Sequence, residues 1–168
     1  MELMQKKNLV NAVERVLHVK GNYSGGILEM TLVVDCGLPE EYVRGMAADI
    51  AFVLRSHSEV FRNVRLNLLY WMSEEKMENR VVPFSFLQMS KCFEDYEEQE
   101  KEKSLDMLSG KLKLYHARSK LILVLAGKKP VIRDREVLRQ NMYPFLGKKS
   151  LFLFQEDNTF NWIRGGEL

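Results

Sequence analysis

Leu121 to Leu125 reads "LILVL", an unbroken apolar run closed off by Gly127 and Pro130. A run this short, bounded by breakers, is the pattern of a strand covered on both faces. Such a strand needs cover above and below, which narrows the fold to sheets flanked by other elements. A second run, "ILEMTLVVD", alternates Leu28, Met30, Leu32 and Val34 against Glu29 and Thr31, then becomes continuously apolar from Leu32 to Val34. It is the candidate central strand. "VRLNLLYW" and "SLFLFQ" follow the same logic and predict two more strands.

The segments between these runs have helical spacing. Pro39 suits the first turn of a helix, Glu40 and Glu41 complement its positive end, and Val43, Met46, Ala47, Ile50, Val53 and Leu54 form one apolar stripe. A second helix is expected from Lys91 to about His116, on the spacing of Phe93, Tyr96, Leu105, Leu108, Leu112 and Tyr115, with Gly110 as a weak point. In it the acidic block Glu94 to Glu102 is a solvated face. "RDREVLRQNMYPFLG" predicts a third helix, limited by Pro144 and Gly147. Near the start, Leu9, Val13, Val16 and Leu17 favour a helix to about Leu17, although "VLHVKG" also fits the opening of a hairpin. "VVPFSFLQ" alternates at Val82, Phe84 and Phe86, but Pro83 cannot donate a ladder hydrogen bond and demotes this run to an edge strand after the polar loop "MSEEKMENR". Phe160, Trp162 and Ile163, in the final stretch, are expected to dock on the body.

Strands alternating with helices of this length predict an α/β fold. It is Rossmann-like, with a mostly parallel sheet, helices on both faces and one antiparallel edge strand. At 168 residues, 46% hydrophobic and 29% charged, residues 1–168 are expected to form a single domain with a full core. The net charge of +2 is too balanced to call for nucleic acid. Cys36 and Cys92 have no CxxC spacing, the chain shows no secretory signal pattern, and no stretch approaches the ~20 apolar residues of a membrane span. The expectation is a cytoplasmic protein without membrane contact.

The order of elements carries a resemblance. The first strand ending in Asp35, the amphipathic helix after it, a strand with an antiparallel edge neighbour, then "KLILVLAG" with its helix and "KSLFLFQ", resemble the von Willebrand factor A family over roughly Gly26 to Gln155. Members that bind a divalent metal carry an Asp-x-Ser-x-Ser loop after the first strand, a threonine in a later loop and an aspartate before glycine after the fourth strand. Here Asp35 matches the first aspartate, but Gly37 and Pro39 stand at the serine positions, Ala126 stands at the late aspartate, and no matching threonine is found. A hard cation needs a shell of oxygen ligands. The resemblance therefore implies a scaffold without a metal or other cofactor, and an interaction role.

Ligands on sheets of this kind sit beyond the carboxyl ends of the strands, which makes Asp35, Cys36 and Gly37 the first candidate binding residues. Asp35 is either an anion-repelling or proton-accepting group at the sheet edge, or a strand-ending residue that accepts amide hydrogens from its own turn. Cys36 is a candidate nucleophile only if a base adjoins it, and His18, His57 and His116 lie far from it in sequence. Lys128, Lys129 and Arg133 begin a basic region that suits an anionic ligand, though "AGKKP" lacks the glycine spacing and the hydroxyl of a phosphate loop. The leading expectation is a non-catalytic module that binds another protein through the carboxyl-end loops. The alternatives are a Rossmann-like enzyme acting on a phosphorylated or anionic substrate through Asp35 or Cys36, and nucleic-acid binding by the basic 128–149 region.

Overall fold

The apolar runs become β1 (Leu28–Asp35), β2 (Val64–Trp71), β4 (Leu121–Leu125) and β5 (Leu151–Glu156), with β3 (Met77–Pro83) between the second and third of these and β6 (Asn161–Arg164) after the last. The helices are α1 (Glu40–Arg55), α2 (Leu105–Tyr115) and α3 (Arg135–Leu146). The computed structural model describes residues 7, 9–11, 28–56, 64–127 and 131–145, and the backbone of 146, 151–156 and 161–164.

The sheet runs β3-β2-β1-β4-β5-β6. β1 pairs in parallel with β2 and with β4, so that Val34 lies between Tyr70 and Leu125, and β5 extends the parallel set beyond β4. The continuous apolar runs thus occupy the interior of the sheet, as their lack of alternation requires. β3 is the antiparallel edge strand next to β2. Asn161 to Arg164 pair antiparallel to β5, so the sheet has an antiparallel strand at each edge and not the single one expected; Phe160 and the side chains of Trp162 and Ile163, expected to dock on the body, lie outside the described residues.

Successive residues of each interior strand serve different cores. Met30, Leu32, Val34, Leu66, Leu68, Leu121, Leu123 and Leu125 join α1 through Val43, Met46, Ala47, Ile50 and Leu54. Their neighbours Val33, Leu69, Trp71, Ile122 and Val124 join Leu105, Leu108 and Leu112 of α2 and Leu138, Met142 and Phe145 of α3. The alternation follows from the pleat, which sends adjacent side chains to opposite sides. Between β1 and β4 a buried polar tie, Thr31 Oγ1 to Ser119 Oγ at 2.6 Å, anchors the loop that enters β4.

Two local expectations are corrected. The edge strand begins earlier than "VVPFSFLQ". A tight turn, with Met72 and Ser73 amides bonding Lys76 O and the Lys76 amide bonding Ser73 Oγ, starts β3 inside the polar stretch, and Phe84–Gln88 is a 3₁₀ helix. Pro83 ends the ladder because it has no N–H to give, and an edge strand tolerates Glu78, Asn79 and Arg80 because half of its surface meets water. The long second helix is also shorter than expected, since only Leu105–Tyr115 is helical. Helical pairing would stack Glu94 on Glu97 and Glu98, and Glu98 on Glu102, at the spacings where like charges destabilise a helix. Residues 89–96 instead form consecutive turns, in which Cys92 N bonds Met89 O, Glu94 N bonds Lys91 O and Tyr96 N bonds Phe93 O. Phe93 takes φ 66°, which no helix admits.

At the amino-terminal end, residues 9–11 are helical and Leu9 is fully buried, while the rest of the helix expected to Leu17 and its hairpin alternative lie outside the described residues. α3 runs through Pro144 to Leu146 rather than stopping before it. Among the described residues no helix is long and apolar enough to cross a membrane.

Candidate functional site

β1 delivers Asp35 to the carboxyl end of the sheet between Trp71 of β2 and the Ala126-Gly127 exit of β4. This is where the strand order reverses, since the chain leaves β1 toward β2 and later returns on its other side at β4. The carboxylate is almost surrounded. Oδ1 accepts the Gly37 amide at 2.8 Å and Oδ2 accepts the Gly127 amide at 3.1 Å, which ties the β1 turn to the β4 turn. Lys103 Nζ closes the set at 2.7 Å from Oδ1, with side-chain exposures of 7% for the lysine and 12% for the aspartate.

Lys103 arrives because residues 96–104 cross over the strand ends instead of continuing a helix. Tyr96 OH donates to Leu38 O at 2.5 Å and also lies 3.2 Å from Asp35 O, and the Gln99 amide donates to Cys36 O at 2.8 Å. The crossing ends where Leu105 N bonds Val131 O and α2 begins. The Lys103 ammonium also donates to Lys101 O at 3.2 Å and sits 6.0 Å from the centre of the Trp71 ring. Beneath the crossing, Leu38 is packed so closely that a Cβ on Gly127 would lie 3.1 Å from its Cδ2 and 3.5 Å from Asp35 Oδ2. The crevice at the switch point is occupied by the chain itself.

Cys36 is buried beneath the same segment. Burial, followed by the neighbouring Asp35 charge, pushes its thiol up to about 12, a shift that Lys103 only partly opposes. The thiolate is disfavoured there, so the helix that follows does not make Cys36 a nucleophile. Its Sγ donates weakly to Val34 O at 3.9 Å. Tyr96 is raised as well, chiefly by burial, and remains a neutral phenol whose single O–H is directed at the nearer carbonyl, that of Leu38.

Of the other candidates, Arg133 is half exposed at the rim. Its Nη2 lies 2.6 Å from Glu74 Oε1 and 2.8 Å from Glu102 Oε1, and its backbone amide donates to Asp106 Oδ1 at 3.0 Å. It therefore braces the crossing segment against the β2–β3 loop. Lys128 and Lys129 lie outside the described residues, as do His18 and His57. The structure thus brings Asp35, Cys36 and Gly37 together, and adds Lys103, Tyr96 and Trp71, to which the sequence reading gave no site role. In the sequence Lys103 is the second of two lysines, after Lys101, at the end of an acidic block, which gives no signal of this role. Among the described residues no group of three or more His, Cys, Asp or Glu side chains is gathered to hold a metal ion.

His116, just beyond α2, is far from this cluster. It is 4% exposed, with Nδ1 lacking a hydrogen-bond partner, and burial lowers its imidazole below the usual 6.5 despite the opposing influence of Glu29. A depressed value in the folded chain means that the unfolded chain takes up the proton first as pH falls. Stability is unaffected by this group above pH 6.5 and declines below it, down to the folded value. Thermal melts between pH 7 and pH 5 should show a falling Tm, and His116→Gln should flatten that part of the profile; an unchanged slope would exclude His116 as its source.

Comparison of this chain with protein-family models, with curated proteins and with solved structures finds no match to any of the three.

Proposed function

We propose that the chain is a non-catalytic protein-interaction module on a Rossmann-like scaffold of von Willebrand factor A type, in which an internal ammonium replaces the divalent cation of the metal-binding members. The order β3-β2-β1-β4-β5-β6 supports a doubly wound arrangement. The division of the core between α1 and the α2–α3 pair supports helices on both faces. The observation that carries the reading is the environment of Asp35. Two amides and Lys103 occupy its oxygens, so the one carboxylate left from the metal-binding pattern already has its counter-charge.

A partner at this end meets the crossing segment rather than Asp35 or Cys36, both of which are buried, and Glu97, Glu98 and Glu102 face solvent along it. Calorimetric titration with Mg²⁺ or Mn²⁺ should give no saturable heat, whereas micromolar binding abolished by Asp35→Asn would overturn the metal-free reading. In affinity capture from the native host, a protein recovered by the wild-type chain should be lost with Glu97→Lys/Glu98→Lys. Recovery of no specific protein by the folded wild-type chain would refute the interaction role.

The enzymatic alternative, with Asp35 or Cys36 acting on an anionic substrate, requires a reactive thiol or a free carboxylate. With the thiol pushed up to about 12, alkylation of Cys36 at pH 7.5 should be slower than that of an open thiol and should keep accelerating as pH is raised through 9. A fast reaction that levels off near neutral pH would restore Cys36 as a nucleophile.

A further inference from the structure

A groove of about 500 Å³ opens on the sheet side that carries α2, away from the Asp35 cluster. Its floor is the part of β2 and β3 that lies beyond α2, where Asn67 pairs with Val81 and Leu69 with Asn79. Its wall is the last turn of α2 with Lys111, Tyr115 and the buried His116. A concavity of this size matches a small-ligand site.

The charges in it are arranged by end. Glu29 and Arg65 are register neighbours near the start of the parallel strands, and His116 and Tyr115 stand beside them, since the chain returns there from α2 and Lys120 N bonds Glu29 O. Glu75 and Met77 mark the opposite end, at the turn between β2 and β3. Two of the four charges are already engaged: Glu29 Oε1 accepts Asn67 Nδ2 at 3.1 Å, and Lys111 lies 5.9 Å from the centre of the Tyr115 ring. Arg65 and Glu75 have no ion-pair partner among the described residues. Among the described residues, a cation and an anion without ion-pair partners therefore stand at opposite ends of a groove with an amide-bearing and apolar floor. The unpartnered Nδ1 of His116, in a nine-tenths buried side chain of the wall, is a further polar group without an internal partner.

We propose that this groove binds a short zwitterionic peptide, its carboxylate at Arg65, its ammonium at Glu75 and a backbone amide at the exposed side chain of Asn79. The side-chain amide of Asn79 carries a donor and an acceptor and so matches a peptide group, whereas buried Asn67 spends its Nδ2 on Glu29 Oε1 and Met30 O and supports the floor from below. The balance of charge argues against a polyanion, whose charge would reach Glu75 as well as the Glu29 beside Arg65, whereas a zwitterion brings its ammonium to Glu75. Length agrees, because β2 from Arg65 to Trp71 spans about 20 Å. With both end residues reaching inward, the remaining space suits a few residues at up to about 3.5 Å each. This site is independent of the interaction role proposed for the sheet's carboxyl end.

The test uses saturation-transfer NMR on the full chain with a mixed-sequence tripeptide pool and the same pool acetylated at the amino end or amidated at the carboxyl end. The free pool should receive saturation, and each cap should weaken binding at least tenfold. Arg65→Gln should remove the penalty for amidation and Glu75→Gln the penalty for acetylation. Both residues are exposed, and circular dichroism checks that the variants fold. Absence of transfer to the free pool, equal transfer to the capped pools, or binding unaffected by both substitutions would each overturn the proposal.

Discussion

Lys103→Met is expected to cost about 3–5 kcal/mol of folding stability, the usual penalty for breaking a buried ion pair from one side. The size follows from what the change leaves behind. Asp35 stays nearly enclosed, keeps its two amide donors and loses its only counter-charge among the described residues. Adding Asp35→Asn should recover part of the loss, because a neutral amide needs no counter-charge. Recovery stays incomplete because Asn offers one acceptor where Asp35 offers two, so either Gly37 N or Gly127 N loses its bond. Urea denaturation of the two single variants and the double variant gives the coupling between the side chains. A Lys103→Met chain within 1 kcal/mol of the wild type would show that the ammonium is not the counter-charge, and the account of a replaced cation would fall with it.

Phe93→Ala should lose a comparable amount, about 3–5 kcal/mol. The ring is fully buried and packs against Tyr70 and Tyr96, with ring centres 6.2 and 6.3 Å away. Its backbone sits at φ 66°, where a side-chain-bearing residue is strained and glycine is not. Phe93→Gly should therefore be no worse than Phe93→Ala, even though it removes one more carbon. A markedly less stable glycine variant would mean that the left-handed backbone carries no strain. The damage should also be local in its dynamics. Tyr96 follows Phe93 in the same turn and holds the crossing segment to Leu38. Hydrogen exchange at Gln99, whose amide bonds Cys36 O, should accelerate more than exchange at Val124 in the interior of the sheet.

Much of the architecture was legible locally. Leu121–Leu125 and Leu32–Val34 announced interior strands because a residue run without alternation has no wet side, and both lie inside the sheet. α1 was legible from Pro39 to Arg55 because its stripe, its acidic first turn and its proline all agree. The misplaced elements are those in which local pattern competed with something distant. Tyr96 and Phe93 have helical spacing with Leu105 and Leu108, yet they are buried in a different core from those two leucines.

The candidate site divides in the same way. Asp35 as a strand-ending residue that binds its own turn amide was readable, since Gly37 is two residues away. The Gly127 amide and Lys103 approach Asp35 from across the fold, and nothing near either residue in sequence announces the meeting. By itself the sequence determined which segments must be covered, because hydrophobic periodicity is a local record of burial. Only the tertiary structure decided which charge stands beside which, because a pairing between distant residues is set by where the chain crosses, and that path is chosen by the summed packing of all the elements at once.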